Sequence, residues 1–185
     1  ASGNVDTPLE PASLTKVMTA YLIYAALKQK ALTPEQVVPV SERAWRMPGS
    51  RSFVEVDHKV TVDNLLKGMI IQSGNDASVA LAEKLAGSED GFAAMMNRQA
   101  AALGMRNTHF LNASGYFDGP QPRHVSTAGD LARLAAALIH DFPESHVLHA
   151  TKEYSFNGIH QYNRNRLLWL DPTADGHKTG HSAAA

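Results

Sequence analysis

Ser13 is followed three residues later by Lys16. In a helix that spacing places both side chains on one face, about one turn apart. A serine hydroxyl attacks a carbonyl only when a neighbour removes its proton. Lysine can do this once burial or a second cation lowers its pKa toward neutrality, and Lys178 could be that second cation. A serine at the head of a helix also gains backbone N–H groups and a dipole suited to an oxyanion. Taken alone, the pair fits a capping serine with an exposed lysine equally well, since a chain of this composition should hold roughly one Ser-x-x-Lys by chance.

Two further triplets extend the set. Ser73-Gly74-Asn75 falls between two helical patterns. It reads either as a glycine stop with Asn75 capping the next helix, or as a proton relay (Ser73) beside an amide that holds Lys16 and substrate (Asn75). Lys178-Thr179-Gly180 reads as an ordinary strand end or as a peptide-binding edge. In the second reading Gly180 lets a substrate backbone lie close, Lys178 supplies positive charge and Thr179 binds a carboxylate. All three motifs in this order form a far rarer coincidence than any one of them.

The elements that must position these residues follow from periodicity. Residues 13–30 predict a helix apolar on nearly every face, hence a buried one. Thr33-Pro34-Glu35-Gln36 carries a capping pattern, residues 37–40 look extended, and residues 41–47 form a short helix closed by Pro48-Gly49. Residues 52–56 alternate like a strand. Helices are predicted over 61–71, 76–86 (ended by Gly87), 88–103 (stopped by Gly104) and 128–140 (capped by Ser126 or Thr127), with a loop at 112–125. Residues 154–156 and 177–179 are the remaining strand candidates. Helices come early and strands late, which predicts an α+β domain with a helical lobe beside a sheet.

Composition narrows the functions open to the chain. A length of 185 residues, 44% hydrophobic and 19% charged, is one globular domain and not a disordered chain. A net charge of −1 gives no electrostatic reason for a nucleic-acid or anionic-membrane partner. The longest apolar run, residues 17–27, is too short to span a bilayer. Absence of cysteine excludes disulfides, thiolate zinc sites and a cysteine nucleophile. Without an initiator Met or a basic-headed signal segment, the chain reads as a processed or trimmed product. Among nine histidines, His146 and His149 could share a helical face, and His177 and His181 bracket the last motif. No His-Glu-x-x-His occurs, so core or surface histidines are expected, with no metal. Trp45, Trp169 and the Met95-Met96 pair are expected in the core.

The chain resembles the low-molecular-mass penicillin-binding proteins, the serine-type D-alanyl-D-alanine carboxypeptidases, over essentially its whole length. Carriers of the likeness are Pro11-Ala12-Ser13-Leu14-Thr15-Lys16-Val17-Met18-Thr19, Ile71-Gln72-Ser73-Gly74-Asn75-Asp76-Ala77 and Asp175-Gly176-His177-Lys178-Thr179-Gly180-His181. Asn107-Thr108-His109-Phe110, Phe156-Asn157-Gly158-Ile159, Asn163-Arg164-Asn165 and Leu168-Trp169 add to it. Ser-Gly-Asn resembles the carboxypeptidases more than the β-lactamases, which typically carry Ser-Asp-Asn.

The resemblance implies a β-lactamase/DD-peptidase-like transpeptidase fold, its helical lobe packed beside an antiparallel sheet. It implies that Ser13 attacks the carbonyl between two D-alanines of a peptidoglycan pentapeptide, with Lys16 and Ser73 as catalytic partners. Asn75, Lys178, Thr179, Gly180 and His181 would bind substrate, the N–H groups of Ser13 and His181 forming the oxyanion hole. β-Lactams would acylate Ser13 and stay. It implies no cofactor, no metal and no nucleic acid, and a periplasmic or cell-envelope location with membrane association only through a segment absent here. No glutamate stands where a deacylating base could be argued. A catalytically silent peptidoglycan-binding or scaffolding homologue and a DD-endopeptidase are the alternatives.

Two departures from the family pattern remain. A strand usually precedes the nucleophile, yet Ala1-Ser2-Gly3 is followed at once by Asn4-Val5-Asp6. The chain also stops at Ala185, just past the third motif. Residues 1–185 are therefore expected to be a catalytic domain truncated at its C-terminal end, with Lys178-Thr179-Gly180 on an exposed edge.

Overall fold

Between Pro11 and Leu27 the only charged side chain is Lys16, and in the computed structural model this stretch becomes the central helix α1 (Thr15–Lys28). The structure describes residues 4–120 and 122–181, so Ala1-Ser2-Gly3 lies outside it. Met18, Ala20 and Ile23 are fully buried where α1 packs against four other helices. Each large apolar side chain so buried contributes roughly 1.5–3 kcal/mol. The helix starts later than its pattern suggests. Ala12–Leu14 form a 3-10 turn entered through a left-handed Ala12 (φ 45°), so Ser13 rides on a tight turn ahead of α1.

The neighbours of α1 are built as their caps predict. Helix α2 (Glu42–Trp45) starts at Ser41, whose Oγ accepts the Ala44 N–H at 3.0 Å. Helix α3 (Val62–Ile71) is capped by Thr61, and α4 (Asn75–Ala86) ends on a left-handed Gly87. Ser88 caps α5 (Glu89–Ala102). Thr127, not Ser126, caps α6 (Ala128–Asp141), its Oγ1 accepting the Asp130 N–H at 3.1 Å. Two short helices, α7 (Pro143–His146) and α8 (Leu167–Leu170), and a 3-10 turn at Val147–Ala150 were not anticipated.

Strands are few among the described residues. β1 (Val37–Val38) pairs antiparallel with β2 (Val60–Thr61), and β3 (Glu153–Phe156) with β4 (Ile159–Tyr162) in a hairpin that turns at left-handed Asn157 and Gly158.

Two expected strands do not form. At residues 52–56 the backbone donors go to a buried carboxylate instead of a strand: Asp76 accepts the Ser52 N–H at 2.8 Å and the Val54 N–H at 3.4 Å. Residues 177–179 lie without strand structure, because no strand among the described residues runs beside them to pair. Trp45 and Trp169 are also not core residues, at 38% and 46% exposure, since α2 and α8 each turn their tryptophan outward. Met96 is fully buried, with Met95 packed against the core.

One buried carboxylate ties the helices to the loop they support. Glu89 Oε1 accepts the Ala113 N–H at 3.1 Å, while Oε2 pairs with Arg43. The 112–125 loop is thereby fixed at the position from which Ser114 reaches the head of α1.

Candidate active site

Lys16 is 1% exposed on an otherwise apolar helix. Its Nζ meets three acceptor atoms: Ser114 O at 2.7 Å, Asn75 Oδ1 at 2.8 Å and Ser13 Oγ at 3.1 Å. Burial, then the nearby Lys178 charge, holds the amine well below the usual lysine range, with Asp76 opposing. A neutral amine has two N–H donors and one lone pair. Two of its three neighbours are carbonyl oxygens, which can only accept. In the neutral form both N–H bonds go to Asn75 and Ser114, and the lone pair is left facing the Ser13 hydroxyl. That is the geometry of a general base poised on its nucleophile.

Each partner is itself fixed. Asn75 Nδ2 donates to Pro48 O at 2.7 Å, which settles the amide orientation and aims Oδ1 at Lys16. Asn112 Oδ1 accepts from Ser114 N–H (3.1 Å) and Gly115 N–H (2.6 Å), shaping the loop that presents the Ser114 carbonyl. Gly115 sits at φ 75°, and a Cβ there would lie 1.9 Å from Ala12 O, so the loop closes on the nucleophile turn only with glycine.

Behind the turn, His124 Nδ1 accepts the Leu111 N–H at 2.9 Å and its Nε2 lies 2.8 Å from Thr15 Oγ1. The ring proton must then sit on Nε2, donating to Thr15. Burial, then the His109 charge, pushes this imidazole down to about 4, so it stays neutral across the ordinary pH range.

Ser73 approaches from the α3–α4 junction, its Oγ donating to Ser13 Oγ at 3.1 Å. It is held at φ 66°, an unfavourable conformation for a residue with a side chain. Gly74 is equally constrained, because a Cβ there would fall 1.8 Å from Ser52 Oγ and 2.7 Å from Asp76 Oδ1. A side chain in the middle of this triplet would therefore force Ser52 and Asp76 to move.

The third motif closes the far side. Thr179, Gly180 and His181 line the same cavity of about 540 Å³ as Ser13, Ser73 and Asn75. A Cβ on Gly180 would sit 3.3 Å from Leu14 N, so this segment packs directly on the nucleophile turn. Lys178 is buried behind it, donating to Thr179 O at 2.6 Å. Burial, then Arg164, pushes the Lys178 pKa down to about 7. All eight residues singled out in the sequence thus converge here, six of them on the cavity wall and the two lysines behind it.

Sequence reasoning assigned no role to several others. Gly49, Ser50, Tyr116 and Arg164 also line the cavity, and the Ser114 carbonyl is the third neighbour of Lys16. Main-chain oxygens leave no mark in residue types, whereas Arg164 stood inside the Asn-Arg-Asn stretch and could have been found as a cation beside the third motif. The described lining contains no aspartate or glutamate, so its fixed side-chain charge is positive. Among the described residues no group of three or more His, Asp or Glu is set to hold a metal.

Comparison with known proteins identifies the family and the fold. The sequence model of the family described as D-alanyl-D-alanine carboxypeptidase matches residues 1–185. The D-alanyl-D-alanine carboxypeptidase DacC of Escherichia coli (strain K12) is 46% identical over 192 residues, covering 100% of this chain and 47% of its own. Penicillin-binding protein 5 from Haemophilus influenzae superposes with a TM-score of 0.95 at 39% identity, covering 100% of this chain and 54% of its own. Penicillin-binding protein D2 from Listeria monocytogenes, solved in an ampicillin-bound form, superposes at 0.84 with 30% identity, covering 100% of this chain and 74% of its own. The expected penicillin-binding fold is therefore the observed one. The chain spans about half the length of the curated relatives it matches.

Proposed function

The chain belongs to the D-alanyl-D-alanine carboxypeptidase family, and from that premise we propose that its site removes the terminal D-alanine of peptidoglycan stem peptides through an acyl-enzyme on Ser13. The observation that carries this reading is the placement of buried Lys16 Nζ between two carbonyl oxygens and Ser13 Oγ, so that the neutral amine turns its lone pair to the Ser13 proton.

In this reading Lys16 takes the proton as Ser13 Oγ bonds to the carbonyl carbon between the two D-alanines. The oxyanion that forms is held by the N–H groups of Ser13 and His181. A donor of this kind contributes about 3–4 kcal/mol to barrier lowering. Ser73, within 3.1 Å of Ser13 Oγ, gives its proton to the departing D-alanine nitrogen as the C–N bond breaks and takes in return the one held by Lys16. Asn75 holds the peptide amide, while Thr179 and Arg164 hold the terminal carboxylate in a wall free of side-chain anions, with the Lys178 charge behind it. Water then cleaves the ester and restores Ser13. A β-lactam follows the same first step, but its amine stays tethered to the acyl group and cannot diffuse away. The substrate places the protein in the bacterial cell envelope.

The test uses the full-length protein. Incubation with benzylpenicillin should add one drug mass, and peptide mapping should place it on Ser13. D-Alanine should be released from diacetyl-L-lysyl-D-alanyl-D-alanine. A penicillin adduct elsewhere, or none, would sink the reading in favour of a catalytically silent homologue. Cleavage of cross-linked dimers without release from the tripeptide would make it an endopeptidase.

A pH dependence follows from Lys178. With a pKa lowered to about 7, it is charged below that value and neutral above it. KM for a substrate ending in a free carboxylate should therefore climb as pH rises from 7 to 9. Lys178→Arg, which cannot deprotonate in this range, should flatten the climb. A wild-type KM constant over those pH values would remove Lys178 from carboxylate binding.

A further inference from the structure

Three imidazoles that the site does not use meet behind the third motif. His146 from α7 and His149 from the following 3-10 turn stack with ring centroids 5.3 Å apart. His177 closes the group at 4.8 Å from His149 and 5.7 Å from His146. His149 is 1% exposed and His146 7%. Side chains hold the start of the segment that bears Lys178 to His181. Asn165 Nδ2 donates to Gly176 O at 2.9 Å, and Gly176 lies so close to the cluster that a Cβ would sit 2.9 Å from His149 Cβ. His177 then inserts its ring, its Nδ1 lying 3.2 Å from His149 Nδ1.

We propose that His149 and His177, with His146 packed on them, form an acid-sensitive latch that helps seat the segment from Gly176 to Gly180 against the nucleophile turn while the His149 and His177 rings are uncharged.

The contact itself requires this. At 3.2 Å between two Nδ1 atoms, one ring donates and the other accepts, so only one proton fits between them. Protonating both rings sets two N–H groups face to face. The remaining nitrogens offer little relief: His146 Nε2 and His177 Nε2 are buried without a hydrogen-bond partner, and His149 Nε2 has the Tyr24 hydroxyl at 3.4 Å. The ionisable groups facing the cluster are Tyr24 from α1 and, on the segment itself, Asp175 and Lys178. Asp175 favours a charged His177, while Lys178 and the other imidazoles oppose it. Burial comes first among the causes and, with these neighbours, pushes His149 down to about 3 and His177 down to about 4.

Both values lie below the ordinary imidazole value of 6.5. The latch's contribution is therefore complete above about pH 6.5 and is lost as pH falls from there toward 4 and 3. At pH 5.0 each released histidine favours the unlatched state by roughly 30-fold.

Hydrogen–deuterium exchange of the peptide covering residues 174–181, in the intact protein at pH 7.5 and 5.0, tests this directly. After correction for intrinsic rates, exchange should rise at least tenfold at pH 5.0, while peptides from α4 stay protected. His177→Leu and, separately, His149→Phe should abolish the acid-induced rise; either suffices if the other fails to fold. The latch is overturned if the wild type shows no rise or if both folded variants rise equally. Its link to the proposed reaction is read separately, as penicillin acylation at the two pH values. Acylation missing at both, with the exchange change intact, would overturn the proposed function and leave the latch standing.

Discussion

Lys16→Met should slow acylation of Ser13 by about a thousandfold, within the span expected for loss of a general base. Met keeps the length and apolar character of the lysine stem, so α1 has no reason to move. The nucleophile then faces a thioether that takes no proton. Lys16 does not line the cavity, so noncovalent affinity for an unreactive peptide should stay within about twofold of wild type. Stability should change little, because two opposed effects follow. The Asn75 and Ser114 carbonyls lose their donor, costing about 1–3 kcal/mol each. Against that, an amine buried at 1% exposure no longer has to be desolvated. Sign matters for the pH profile. The Lys16 pKa is lowered in the folded protein, so the competent neutral amine gains population as pH rises through its titration, and the Met variant should lose that limb. Rapid-mixing measurement with a fluorescent penicillin checks both points. A variant within threefold of wild type would mean that another group deprotonates Ser13.

Asn75→Leu should cost about 2–4 kcal/mol of stability and about a hundredfold in acylation. It removes the acceptor 2.8 Å from Lys16 Nζ and the donor 2.7 Å from Pro48 O, leaving two polar groups without their partners. The kinetic loss has a specific origin. With one carbonyl gone, the amine can rotate an N–H toward Ser13 and turn its lone pair away. Asn75→Asp separates this from simple damage. A carboxylate beside Lys16 favours the ammonium form, so the rise of acylation with pH should move to higher pH while the rate at its plateau recovers. Thermal melts and acylation profiles of the two variants decide the matter. An Asp variant whose profile matches wild type would show that Asn75 does not govern the Lys16 proton.

What could be read in the sequence follows from how locally each residue is specified. Ser13 and Lys16 are legible because one helical turn separates them, and α1 was legible as a buried helix because its apolar residues leave no polar face. Ser73 and Asn75 were legible as a helix break, though not as the clamp on Lys16, since that depends on α1 and α4 packing together. Residues 52–56 alternate like a strand, yet the Asp76 carboxylate, distant in sequence, claims their N–H groups. His146 and His149 were legible as a helical pair, but nothing local says that His177 packs against them. Long-range polar contacts of this kind have no periodicity to betray them.

The Ser114 carbonyl that takes one of Lys16's three hydrogen bonds belongs to the peptide backbone. No codon change at position 114 can delete it, so this acceptor is shielded from the simplest kind of genetic loss. The exposure moves one residue along, to Gly115, where any side chain would collide with the Ala12 carbonyl. A saturation library selected for activity would then show an odd profile around the loop. Its chemistry resides on the main chain of position 114, and its sharpest intolerance falls on a glycine that takes no part in proton transfer. Ranking residues by mutational sensitivity alone would credit the wrong one.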